Sequence, residues 1–266
     1  MSPDELIVLI VAGIGVFALW GSWLHQHAFV GREGYPRARS TYHLIIPLVC
    51  AGLLFLVLKT SASFDVFDSP LYLTFYMVLG AAWVGLCLKC TGVAGISVRD
   101  DVIERRNRAA AIAVGGAMVG FTLTFAGGNI GDGPGWWVVL FSSGIATATL
   151  FALWVALDIG GGAADSITVE RDAATGTRVA GFLIGEGLIL GRSVAGDWVS
   201  AAATARDFAT NAWPALVLLA FAILVERSFR PSPRRPNPPV TAYGLFPAVA
   251  YFIAGAAVVL RLETLP

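Results

Sequence analysis

The feature that most restricts this chain is a succession of apolar runs, each close to the length of a bilayer-spanning helix and parted from the next by a short polar connector. A hydrocarbon core about 30 Å thick needs roughly 20 mostly apolar residues at 1.5 Å per residue. The runs cover residues 6–24, 43–58, 71–88, 109–127, 136–157, 177–196, 214–225 and 242–260. The seventh is short and draws on the Ala/Thr-rich stretch before it, so seven is the alternative count. A soluble domain carries about a quarter charged residues; here 14% are charged and 56% hydrophobic. The expected fold class is therefore all-α, a polytopic transmembrane helix bundle of about eight spans, multi-pass, with the lipid bilayer as its first partner.

Charge placement sets the expected orientation. Net charge is zero, which gives no global field for nucleic acid. The connectors after runs one, three, five and seven hold Arg32, Arg37 and Arg39; Lys89, Arg99, Arg105, Arg106 and Arg108; Arg171 and Arg178; and Arg227, Arg230, Arg234 and Arg235. The other side keeps Lys59, Arg192, Arg206 and Arg261. By the positive-inside bias, fourteen against four puts both termini outside and the arginine-rich loops in the cytoplasm. Trp136, Trp137, Trp198 and Trp213 mark outer ends, and Trp20 and Trp23 an inner one. The start, Met1-Ser2-Pro3-Asp4-Glu5, lacks a positive n-region, so the first run is expected to stay as a helix. The stretch from Arg230 to Pro239 is proline-rich and predicts a stiff connector, with docking to anionic lipid or a partner as the functional alternative.

Runs four and six resemble each other at an offset of 69 residues, matching Ala126-Gly127 to Ala195-Gly196 and Gly116 to Gly185. This predicts a duplicated two-helix hairpin forming a four-helix core over residues 71–198. Two transmembrane helices precede it in 1–70 and two follow in 199–266. Gly116 and Gly120, Gly181 and Gly185, and Gly187 and Gly191 supply small residues at helical spacing, the pattern that lets helix backbones approach closely in lipid.

The segment Arg106-Asn107-Arg108 with its Ala/Gly-rich continuation to Gly120, then Thr177 to Gly191, resembles the bacterial inner-membrane proteins of domain of unknown function 350 (UPF0719), over about residues 71–198. The resemblance implies a four-helix protein of the bacterial inner (plasma) membrane, made of two hairpins, and it brings no activity or catalytic residue. Relative to that pattern, this chain adds two spans on each side and places Glu186 and Arg192 where small or uncharged residues are usual.

Glu186 is the sharpest chemical candidate. It lies mid-span between Gly185 and Gly187, where an acid costs on the order of 2.5–3.5 kcal/mol and calls for a cavity, a partner or a proton. It is read as an ion or proton site, or alternatively as a carboxyl hydrogen-bonded in the bundle or paired with Arg178 or Arg192. Ser143 and Thr147, four apart in run five, share a face that could line a polar path with it, or bond their own backbone. The connector from Ala126 to Gly135 is expected to be a flexible turn, a gating loop being the alternative; without a preceding strand or a lysine it is no P-loop. Cys87-Leu-Lys-Cys90 and His25-Gln-His27 are weak metal or redox signals, and no metal site or cofactor is expected. The three cysteines, Cys50 among them inside an apolar run, argue against a disulfide framework.

No catalytic motif is present, so the chain is not expected to be an enzyme. The leading expectation is a channel-like or transporter-like protein for a small ion or solute. The alternative is a non-transporting scaffold or regulatory subunit whose arginine-rich loops recruit a cytoplasmic protein partner. A homo-oligomer is compatible with the small-residue motifs.

Overall fold

Most of the apolar runs become helices whose ends are fixed by recognisable local chemistry. The computed structural model describes residues 1–29, 42–232 and 238–263; Arg32, Arg37, Arg39, Arg234, Arg235 and the side chain of His27 lie outside the described residues, as does part of the proline-rich connector. The order is α1 (Pro3–Phe29), α2 (Tyr42–Thr60), a short α3 (Phe64–Asp68), α4 (Pro70–Lys89), α5 (Arg108–Gly127), α6 (Trp136–Gly161), a short α7 (Ala163–Thr168), α8 (Ala173–Ser193), α9 (Ala201–Asn211), α10 (Trp213–Phe229) and α11 (Phe246–Glu263). A 3-10 turn at Thr91–Ala94 and π-helical turns at Val98–Glu104 and Thr241–Leu245 complete the described elements. Pro70 opens α4 in the first turn, where its missing N–H costs nothing. Asn107 and Asp172 cap α5 and α8, each side chain accepting from two backbone N–H groups of the first turn.

Among the described residues, six helices are long and apolar enough to cross a membrane: α1, α4, α5, α6, α8, and α11 with the turn before it. The pair α9 and α10, bent by 42°, makes a seventh if counted together. The second run, 43–58, becomes α2, whose described side chains give a shorter apolar helix, Ile45–Thr60. The whole of α2 has 19 residues, about 28 Å at 1.5 Å per residue, close to the thickness of a 30 Å core. Burial separates inner from outer helices: 83% of the apolar window of α5 and 78% of that of α8 are buried, against 11% for α1 and 22% for α11. The exposed side chains of α1, such as Ile7, Ile14 and Phe17, suit acyl chains rather than water.

Helix α8 is the hub, packed against α5, α11, α6 and α10. Its closest crossings are backbone to backbone. A β-carbon at Gly116 or Gly120 would come within 3 Å of the main chain of Ala180 or Leu183, and one at Gly181 or Gly185 within 3 Å of that of Ala248 or Tyr251. Gly187 meets Gly120 in the same way, and Gly255 meets Gly185. Thus α5 rests on α8 as α8 rests on α11. The small residues of α8 divide between two faces, Gly181 and Gly185 serving α11, while Gly187 and Gly191 serve α5.

The approaches to α5 and α8 also match. Asn107 N–H donates to Asp101 O, and Asp172 N–H to Ser166 O, both at 2.9 Å. Arg106 and Arg171, just before each cap, hold φ of 51° and 57°. The spacing from Asn107 to Asp172 is 65 residues, where small-residue matching gave 69; the difference of four is one helical turn, a slip that keeps every small residue on its face.

The two connectors at the opposite end are pinned together. Gly196 N–H donates to Ile130 O at 2.9 Å, Trp198 N–H to Asp132 O at 2.7 Å, and Asp132 N–H to the Asp197 carboxylate at 2.8 Å. Gly131, at φ 102°, lies so close to the Gly196 backbone that no side chain fits. The turn expected to be flexible is thus held by hydrogen bonds to its neighbour, because its partner segment from 196 to 198 is far off in sequence.

Candidate functional site

The buried polar groups of α8 begin at its cap. Asp172 Oδ2 accepts from Thr175 N–H at 2.8 Å and from Thr175 Oγ1 at 2.7 Å. Thr175 Oγ1 accepts in turn from Arg178 Nη2 at 2.7 Å. The Arg178 guanidinium grips Glu226 of α10 in a fork, Nε to Oε1 and Nη2 to Oε2, each at 2.7 Å. Its Nη1 donates to Tyr243 O in the turn before α11. Arg178 and Glu226 side chains are 0% and 2% exposed. A planar, always-charged guanidinium is the group suited to such a fork in a dry interior. One network therefore ties α8, α10 and the start of α11.

Sequence reasoning missed this pair. It counted Arg178 as a loop cation or as a partner for Glu186, and it passed over Glu226. The available signal was two opposite charges at the edges of apolar runs at the same end of the bundle, Arg178 in the second turn of α8 and Glu226 in the last turn of α10.

Glu186 lies two turns beyond Arg178 and is fully buried, yet neither carboxylate oxygen has a hydrogen-bond partner among the described residues. The alternative of pairing with Arg178 or Arg192 does not occur: Arg178 is held by Glu226, and Arg192 donates to Leu262 O at 3.0 Å. Gly185 faces α11 and Gly187 faces α5, so at 100° per residue the side chain between them leaves on the third side, where α8 meets α6 and α10. Two further buried oxygens, Tyr251 Oη and Ser166 Oγ, have no partner among the described residues either. A buried, unpaired oxygen of this kind costs roughly 1–3 kcal/mol and asks for a reason.

Ser143 and Thr147 are buried on α6, and both are used locally. Ser143 Oγ donates to Phe125 O at 3.3 Å; Thr147 Oγ1 shares a 2.9 Å bond with Thr124 Oγ1 and accepts from Trp83 Nε1 at 3.2 Å. The structure brings these hydroxyls to α4 and α5, and no direct bond joins either to Glu186. Cys87 is buried and Cys90 exposed, both as free thiols. Among the described residues no three His, Cys, Asp or Glu side chains converge on one point.

Among the described residues, a bundle of six or seven membrane-length apolar helices, with a buried ion pair and an acid that has no partner there, defines a membrane-type helical protein. Residues 65–194 match the model of the family described as Domain of Unknown Function (DUF350), the family to which the sequence pattern pointed. No curated protein and no solved structure matches the chain. The matched stretch runs from α3 through α8, so Glu226, α10 and α11 lie beyond it.

Proposed function

We propose that this chain is an eight-span protein of the bacterial cell membrane, with both termini outside, that moves protons or a small cation by way of Glu186. The observation carrying this reading is the carboxyl of Glu186, wholly buried on the hub helix with no partner among the described residues. A carboxyl in such a place holds a proton or a cation as its counter-charge, and transporter sites tend to lie at this depth between repeats. The repeat reading supports it: α4 to α5 and α6 to α8 form two hairpins of one kind, and α10 to α11 continues the series through the same glycine contacts. Ser143 and Glu186 each lie about two turns from the outer ends of their helices, hence in one layer of the bundle.

The test is flux into liposomes holding the purified chain under an imposed proton or potassium gradient. The expected result is wild-type flux that is lost in Glu186→Gln and kept in part by Glu186→Asp. Equal leak in wild-type, Glu186→Gln and protein-free liposomes, with both proteins folded, would sink the transport reading for those ions.

A second reading has its own observation. The glycine crossings of α8 with α5 and α11 leave no slack for rocking motions, which suits a non-transporting scaffold that recruits a partner through its arginine-rich connectors. A stoichiometric co-purifying protein together with flux-silent liposomes would favour it.

A further inference from the structure

At the arginine-rich end, between α1, α4 and the π-helical turn at Val98–Glu104, a cavity of about 150 Å³ opens to the surface. Trp20 and Trp23 line it from α1, Gly85 and Lys89 from α4, and Ser97 and Arg99 from the turn and its cap. The apolar spans of α1 and α4 end at Gln26 and Lys89. The mouth of the cavity therefore sits where acyl chains give way to headgroups, and its floor a turn or more deeper.

The floor is built. Trp20 Nε1 donates to Ala81 O at 2.9 Å, fixing its ring, and Trp23 packs against it with ring centroids 6.0 Å apart. A β-carbon at Gly85 would lie 3.1–3.2 Å from Leu19 and Trp20, so glycine is what keeps this side open.

The mouth is cationic. Lys89 Nζ makes a long 3.4 Å bond to Ser22 Oγ. Arg99 Nε holds Glu104 at 2.9 Å, in a pair whose side chains are 70% and 45% exposed. Such a surface pair contributes about 0–1 kcal/mol, which a doubly bonded anion readily outcompetes. The nearby acids are engaged elsewhere, Asp101 by Arg105 and the Ser97 N–H, and Asp100 by the Ser97 hydroxyl. The volume is below the roughly 300–1,000 Å³ of drug-sized ligand pockets, which excludes a nucleotide and fits a headgroup.

We propose that this cavity binds the phosphate of an anionic phospholipid from the leaflet beside the arginine-rich connectors, with Lys89 and Arg99 on the phosphate and Trp20 and Trp23 against the glycerol and first acyl carbons. The chemistry recognised is a phosphate anion with an apolar tail; the tail is what the tryptophan floor adds.

The experiment is native mass spectrometry of the full chain in mild detergent with equimolar phosphatidylglycerol and phosphatidylcholine. Wild type is expected to retain one phosphatidylglycerol in preference to phosphatidylcholine. Lys89→Gln and Arg99→Gln should each cut that preference about fivefold, and the double change about 25-fold. Lys89→Arg should keep it, and Arg206→Gln on the exposed α9 should leave it unchanged. Equal retention of the two lipids, or an equal loss in Arg206→Gln, would overturn the site. Full displacement by millimolar inorganic phosphate would also overturn it, by making it a site for free anions.

Discussion

Arg178 of α8 and Glu226 of α10 form a bidentate ion pair, two bonds of 2.7 Å, between helices whose charges are 48 residues apart in sequence. The family match ends at residue 194, so the charge that Arg178 requires is supplied from outside it. The C-terminal helices are therefore part of the same folding unit as the matched core. Because a lone buried charge is far costlier than an apolar pair of similar volume, Arg178→Met and Glu226→Gln should each lower stability by about 3–5 kcal/mol. The double change Arg178→Met with Glu226→Leu should recover most of that in thermal unfolding of the micellar protein. A double variant as weak as the singles would show that the pair stabilises by more than mutual charge compensation.

The glycine crossings make a second expectation. Gly116→Ala and Gly181→Ala force a methyl into the Ala180 and Ala248 backbones, and each should cost about 1–3 kcal/mol. At Gly13 and Gly52 an added β-carbon would meet nothing within 4 Å, so alanine there should be neutral or stabilising by up to about 1 kcal/mol. Melting temperatures of the four variants check the contrast.

Glu186 should separate stability from activity. Methionine is close in volume and removes an unpaired carboxyl, so Glu186→Met should raise stability by on the order of 1–3 kcal/mol while abolishing flux. A variant that is less stable than wild type would mean that the carboxyl has a stabilising partner in the folded protein.

The cap of α5 also reaches a segment 60 residues away, the short helix α7. Asn107 Oδ1 accepts from Ala109 and Ala110 N–H, while its Nδ2 donates to Ile167 O at 2.6 Å. Asn107→Asp keeps the acceptor and loses the donor; Asn107→Ala loses both. The alanine variant should cost about 2 kcal/mol and the aspartate variant about half of that, read again by thermal unfolding.

The helices were legible because lipid leaves the backbone few options, so apolar length alone marks where the chain must coil. Their starts are sharpened by Pro70, Asn107 and Asp172. The register between α5 and α8 was not legible, since small residues repeat every turn and an offset of 69 scores like one of 65; the caps and the φ > 0 residues Arg106 and Arg171 decide it. Glu186 stood out because an acid in an apolar run is conspicuous. The Arg178–Glu226 pair did not, because each charge lies near a helix end, where sequence reading assigns it to water. Which charge meets which depends on how α8 and α10 cross, and no spacing in the chain encodes that.

The position of Glu226 has a consequence for how the protein is made. Once α8 has left the ribosome, 48 more residues must follow Arg178 before its counter-charge exists. At about 5–20 residues per second that interval is a few seconds. During it the nascent bundle carries an uncompensated guanidinium and a glycine-lined face still waiting for α11. The hub helix is thus among the later parts to settle in the bilayer, and a chain halted before α10 would present the membrane's quality-control proteases with that exposed charge.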